Sequence, residues 1–329
     1  MNSDFLGNLA RRPEAGAAIS LVVVLALFTA FGGSGLYGAA SWVNFAANLG
    51  IVALPVGLLM IAGELDISIG AMIPAGSMTI AILSGYYELP IIVGILGSLA
   101  FGVLVGLING YLTVNTSVPS LIITLASLVA VQGLVLSGSV LLTGGASVSL
   151  EAPAWAKFFF GHLIGGSYQV IVIWWLIFTA AFFFAIHKMR YGNWIFAMGG
   201  DIVSARNVGI PTRRLTIALF VLSATCASFV GMCGAIMFNS AQVSGGMNYI
   251  FNTIVSIVVG GVLLTGGFGS ILGIFFGTLT FAVVSQGIYF TNIDRNWSSL
   301  IIGVLLLVAV LMNNTFRQMA LTYSPKKAK

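Results

Sequence analysis

Ten runs of predominantly apolar residues, each of about 17–25 positions, follow one another along this chain with short breaks. They lie at approximately 17–36, 42–62, 66–84, 90–112, 119–138, 169–187, 214–238, 249–265, 270–290 and 297–315. Runs of that length match the hydrocarbon core of a bilayer. A backbone placed there must satisfy its own N–H and C=O groups, so each run predicts a helix. The second and third runs, and the eighth and ninth, have soft boundaries because little polar sequence separates them. Composition agrees: 59% of the 329 residues are hydrophobic and 6% are charged, against about 25% charge in soluble domains. The stretch 17–31 continues without a small-residue cleavage site, so it reads as a first span and not a signal peptide. The expected fold is all-α and polytopic, with one transmembrane domain over 17–315, a segment 1–16 before it and a tail 316–329.

Charge orients the spans. With both ends cytoplasmic, Arg11, Arg12, Lys188, Arg190, Arg206, Arg213, Arg214, Arg317, Lys326, Lys327 and Lys329 lie inside, and only Lys157 and Arg295 outside. An odd number of spans spoils this positive-inside bias. The net charge of +5 is therefore topological. No basic patch is interleaved with aromatics, so nucleic acid is not expected as a partner. The external segment 139–168 carries Trp155 and the run Phe158, Phe159, Phe160, which reads as a helix lying at headgroup level.

The longest polar interruption, 188–214, holds five of the thirteen basic residues and must project into water. Gly199 and Gly200 break the preceding structure, and Asp201 is a good N-cap. About two helical turns can follow, before Gly209 at a position needing positive φ and Pro211 as a stop. Ile202, Ala205, Val208 and Ile210 give this element an apolar side. It is either an ordinary topology-fixing loop or a docking surface.

Residues 63–70 place Glu64 and Asp66 between two apolar spans. These carboxylates can mark a tight cytoplasmic turn with Asp66 or Ser68 capping the next helix. They can bind a cation or relay protons, or they can meet the basic loop. Capping is the economical choice, and a proton relay lacks further buried acids. Catalytic signals are missing: no His, Cys or carboxylate cluster has metal spacing, no nucleophile–base set assembles, and no Gly-Lys dipeptide permits a phosphate-binding loop. The chain therefore reads as a non-enzyme without its own metal or cofactor. Any ATP that drives it is bound by another chain.

Gly102, Gly106 and Gly110 step by four along one span, as do Gly269, Gly273 and Gly277 along another. Small residues at that spacing let helix backbones approach closely. The two series are a faint trace of an inverted repeat pairing spans two to five with seven to ten. Polar groups within spans, among them Asn48, Asn109, Gln132 and Asn252, either face a solute path or hold helices together. Cys226 and Cys233, seven apart, share a helix face as reduced packing residues.

Several stretches resemble the ribose-type (monosaccharide) ABC importer permeases. Glu64–Gly70 is similar to that family's acidic-Leu-Ser-Val-Gly signature. Asn109-Gly110 with Val118–Leu125 is similar to its Asn-Gly and Val-Pro-Ser segment. Ala197–Ile210 resembles its cytoplasmic Gly-Gly-Asn…Ala-Arg…Gly-Ile loop, and Gly260-Gly261, Gly266-Gly267 and Gly269–Gly273 its late glycine motif. The resemblance implies an inner-membrane permease acting as a pair, with a second copy or a related chain. A cytoplasmic P-loop ATPase and a periplasmic solute-binding protein would be its other partners. It makes the 201–210 element a coupling helix, with Gly199, Gly200, Asp201, Ala205, Arg206, Gly209 and Ile210 at the contact. An acidic pair that family members carry before the late glycines is replaced here by Ile250 and Asn252, which leaves the solute open among sugars and polyols. The competing expectation is an ion-coupled secondary transporter using Glu64 and Asp66.

Overall fold

The computed structural model describes residues 13–32 and 38–287, with isolated positions from 289 to 311. Its helices are α1 (Pro13–Gly32), α2 (Ala39–Ile61), α3 (Ile69–Ile80), α4 (Ile91–Asn115), α5 (Ser120–Thr143), α6 (Ile171–Lys188), α7 (Arg190–Gly200), α8 (Ile202–Asn207), α9 (Thr212–Phe238), α10 (Met247–Val259) and α11 (Ile271–Gly287). A π-helical turn prolongs α3 through Tyr86. Among the described residues, six helices are long and apolar enough to cross a membrane: α2, α3 with its extension, α4, α5, α6 and α9. Three more apolar helices, within α1, α10 and α11, are shorter. The expected tenth span lies outside the described residues but for isolated positions. So do Arg11, Arg12, Arg295 and the basic tail.

The eighth span is shorter than expected. Its helix α10 ends at Val259 rather than 265, and its 13 residues rise only about 20 Å against a hydrocarbon core of about 30 Å. The stop is local. Gly261 takes φ +88, its N–H donates to the Val258 carbonyl at 2.9 Å, and the Val262 N–H donates to Ile257 at 3.2 Å. These are the paired bonds of a Schellman cap. Hydropathy misses the stop because Val262, Leu263 and Leu264 keep the run apolar. The chain then stays irregular to Ser270, with Gly266, Gly267 and Gly269 also at positive φ. Gly269 therefore lies before α11, and only Gly273 and Gly277 of that series stand on the helix. In the other direction, α5 runs past Gly138 to Thr143, ending at Gly144 with φ +77.

α2 forms the centre of the molecule. Its residues from Leu49 to Ile61 are all buried, against α6, α9, α10 and α11. The glycine stripe of α4 lies on α9. A Cβ at Gly102, Gly106 or Gly110 would stand 2.8, 2.5 or 2.7 Å from the Cα of Thr225, Val221 or Ile217. On α11, a Cβ at Gly273 or Gly277 would meet the Gly260 or Ser256 carbonyl at 2.2 Å. Dispersion between close backbones stabilises such pairs where lipid removes the hydrophobic drive. The outward faces of α4, α5 and α6 expose Leu104, Ile108, Ile122, Val129, Leu134 and Leu176, which suits lipid and would be a liability in water. Cys226 and Cys233 are both buried and unbridged.

At the end of the bundle where α2 begins, the connections form small sheets. Strand β1 (Ser147–Ser149) is followed by the pair β2 (Leu163–Ile164) and β3 (Tyr168–Gln169), and β4 (Ser240–Gln242) returns to pair antiparallel with β1. Gly165 and Gly166, at φ +59 and +76, make the tight β2–β3 turn. The stretch 154–161 is helical, with Trp155, Phe158 and Phe159 exposed. Phe160 turns inward onto Trp174, ring centroids 5.8 Å apart.

Candidate functional site

α8 is a six-residue helix closed at both ends by local chemistry. Asp201 is extended (φ −157, ψ 111), and its Oδ1 accepts the Ser204 N–H at 2.6 Å. That backbone bond holds the exposed carboxyl below its ordinary value of 3.8. At the other end Gly209 takes φ +87. Its N–H donates to Arg206 at 3.0 Å and the Ile210 N–H to Ala205 at 3.1 Å, a second Schellman cap. The expected single apolar side is divided in two. Ala205 is buried and Ile210 packs on the core, whereas Ile202, Val203 and Val208 face out, Val208 at 77% exposure. Helix period alone does not give this division, since Ile202, Ala205 and Val208 are spaced by three; the docking of the helix on the bundle covers Ala205 and leaves the others out. Val203, which the sequence pattern did not single out, belongs to the outward set. Arg206 is exposed beside it.

Besides the buried Ala205 and Ile210, a backbone junction lies just before this helix. The Gly267 N–H donates to the Ile61 carbonyl at 2.8 Å, joining the end of α2 to the irregular loop after α10. Gly199, at the end of α7, fills the space between them. A Cβ there would lie 1.8 Å from the Ile61 oxygen and 2.4 Å from the Gly267 nitrogen. A Cβ on Gly266 would meet the Gly199 oxygen at 3.0 Å and the Gly63 Cα at 3.1 Å. Four glycines from three distant segments thus meet within one turn of α8. Gly200 faces open space.

The acidic stretch lies next to this junction. Gly63 (φ +91) ends α2 with the same paired bonds, Gly63 N–H to Met60 at 3.0 Å and Glu64 N–H to Leu59 at 2.9 Å. The chain then runs extended along the start of α5. Ser120 Oγ accepts the Leu65 N–H at 3.1 Å, and Thr124 Oγ1 accepts that of Ile67 at 3.3 Å. Glu64 is half-buried and bonds Ser120. Asp66 is 1% exposed. Its Oδ1 accepts the Ser68 N–H at 2.9 Å and the Ser68 hydroxyl at 2.6 Å, and its Oδ2 accepts the Ser223 hydroxyl of α9 at 2.7 Å. Ser68 in turn accepts from Asn109 of α4 at 3.0 Å, and Ser127 of α5 donates to Asn109 Oδ1. Asp66 therefore folds a turn onto Ser68, the residue before α3, while the expected side-chain cap on α3 is not made by either residue. Asp66 also ties α3 to α9. Ser223 and Ser127 carried no signal, since lone serines in apolar runs are ordinary.

Of the solute-path candidates, Asn109 is consumed by this network. Gln132 is exposed on the outer face of α5, and Asn252 is half-buried on α10. Asn48 lines a cavity at the opposite end of the bundle.

The model of the family described as "Branched-chain amino acid transport system / permease component" matches residues 38–310. The chain belongs to this permease family. Its relatives include the fructose import permease protein FrcC of Rhizobium meliloti, 27% identical over 92% of this chain and 87% of that one. The probable ABC transporter permease protein YphD of Escherichia coli is 30% identical over 86% and 82%. The autoinducer 2 import system permease protein LsrD of Escherichia coli is 31% identical over 80% and 79%. The solved structure of PsaBC from Streptococcus pneumoniae in complex with Fab is a distant likeness, at TM-score 0.43 and 19% identity over 87% and 92% of the chains. A permease of this family is a multi-pass protein of the bacterial inner membrane and a non-catalytic component of its transporter.

Proposed function

We propose that this permease is the membrane subunit of an ATP-driven importer for a monosaccharide or related small polyol. Ten helices with both termini in the cytoplasm, arranged as an inverted repeat, form its single transmembrane domain over 17–315. The contacts of α4 with α9 and of α11 with α2 are the pair such a repeat generates. A periplasmic binding protein delivers the solute, and two permease chains pass it as cytoplasmic P-loop ATPases close. ATP is bound by those partners alone.

The observation that carries this reading is α8: a helix capped at both ends with three apolar residues facing out, directly after the glycine junction of α7 with the end of α2. An ATPase groove that takes Ile202, Val203 and Val208, with Arg206 at the rim, can push on the bundle through that junction. Asp66 speaks against the ion-coupled alternative, because both its oxygens are already occupied by donors of this chain. Co-purification of the tagged chain from its native host tests the proposal. A stoichiometric P-loop ATPase, lost in Val208→Asp, is the expected result. A chain that purifies alone, with uptake that survives ATP depletion and collapses under an uncoupler, overturns it.

A further inference from the structure

Away from α8, two adjoining cavities open between the start of α2, the β3–α6 connection and the ends of α9 and α11. One has a volume of about 330 Å³ and the other about 310 Å³, and Asn48, Gly234, Phe238 and Tyr249 line both. Either volume suits a small organic ligand. Asn48 stands thirteen residues before Ile61, so the cavities lie about 20 Å along α2 from the glycine junction.

The walls carry hydrogen-bonding groups that the fold leaves over. Asn44 donates to the Ser167 carbonyl at 2.9 Å and accepts the Gln169 N–H at 2.8 Å, which pins β3 to α2. Asn48 spends its NH2 group on the Asn44 carbonyl at 2.9 Å and on Gln169 Oε1 at 3.0 Å. The Ser41 hydroxyl donates to Gln286 Oε1 at 3.1 Å. What remains includes one carboxamide oxygen, on Asn48, two NH2 groups, on Gln169 and Gln286, and the Tyr249 hydroxyl. All four residues are half-buried. Gln242, Ser77 and Ser244 add further groups in the second cavity. Aromatic rings complete the walls: Phe45, Phe160, Phe238 and Tyr249.

Among the described residues, no acid and no base lines either cavity. A zwitterion such as an amino acid would bring an ammonium group with no carboxylate to meet it, at a large desolvation cost. A hydroxyl both donates and accepts, so the leftover oxygen and NH2 groups can each take one. The C–H face of a sugar ring is apolar and can rest on an aromatic face. We infer that these cavities are a solute site of the permease chain itself, specific for a neutral polyhydroxylated molecule. Asn48, Gln169 and Gln286 are its hydrogen-bonding residues. This rests on the importer reading and deepens it. The solute is recognised a second time, after release from the binding protein, so a charged ligand that escapes onto the permease is refused.

The test uses the full chain in lipid nanodiscs and saturation-transfer difference NMR, which reads weak binding. The probes are a mixture of D-fructose, D-ribose, D-galactose and myo-inositol, and L-leucine separately. At least one neutral probe is expected to give a signal and leucine none. Asn48→Leu and Gln286→Leu are each expected to weaken that binding about tenfold, the cost of roughly one hydrogen bond. Gln286 makes only the one bond to Ser41, so its variant guards against misfolding at Asn48. Silence from every neutral probe, leucine signals that need Asn48, or sugar signals unchanged in both variants each overturn the site. Co-purification of the ATPase is scored on the same preparations. An intact complex without a sugar signal sinks the site and spares the importer, whereas a chain without ATPase sinks the importer.

Discussion

Asp66 and Asp201 perform the same local act and sit in opposite surroundings. Each lies within a polar break and accepts a nearby backbone N–H, that of Ser68 just before α3 at 2.9 Å and that of Ser204 in α8 at 2.6 Å. Asp201 stops there, in water. Asp66 is sealed inside and goes on to bind α9 through Ser223. A carboxylate at a helix start is thus a local device whose importance is set by what else shares its volume. At Asp201 it shapes an exposed surface element. At Asp66 it joins helices that must stay together.

Asp66→Ala separates the two most sharply. It strands the Ser68 N–H and removes the acceptor shared by Ser68 and Ser223, a loss of about 2–3 kcal/mol for buried groups left unpaired. A large fall in Tm and poor assembly are expected. Asp66→Asn keeps the acceptor oxygen and should retain substantial transport. If Asp66→Asn abolishes uptake at normal Tm and assembly, the purely structural role fails and a charge-dependent one replaces it.

Gly209→Val comes next. Its φ of +87 costs a β-branched residue about 1–2 kcal/mol, paid by reorienting α8. Uptake and ATPase co-purification should be lost while the chain inserts and keeps nearly its full Tm. Normal uptake at normal expression would remove α8 from the coupling path.

Asp201→Ala should do less than either to Tm, since the side chain is exposed and touches nothing beyond α8. Its effect is expected in ATPase affinity. A Tm loss matching that of Asp66→Ala would erase the contrast between the two aspartates. The smallest effect is on pH. Because the folded carboxyl sits below 3.8, the contribution of the cap is complete above that pH and fades only as pH falls through the depressed value. The Ser204 amide resonance should therefore hold constant from pH 7 to about 5 and move only in stronger acid. Movement near neutral pH would mean that another group controls the cap.

The helices, the caps of α8 and the membrane class were legible because they depend on neighbours in sequence. Apolar run length sets a span, and Asp201, Gly209 and Pro211 set a start and a stop within one short window. The end of α10 was missed for a related reason: Gly260 and Gly261 were visible, but apolar residues after them kept the run going. The division of α8 into a buried Ala205 and an outward Val203 needed the seat of the helix to be known.

Sequence alone determined that this chain crosses a membrane many times and that a capped helix sits within its polar break at 188–214. Tertiary structure decided which polar groups meet. Asp66 finds Ser223 across 157 residues and Asn48 finds Gln169 across 121. Gly199 is wedged between the ends of α2 and the loop after α10. Such meetings depend on how closely helices pack, which the glycine stripes permit but do not aim. Hydropathy is blind to them because a serine or an asparagine in a span looks the same whether it faces lipid, a neighbour or a solute.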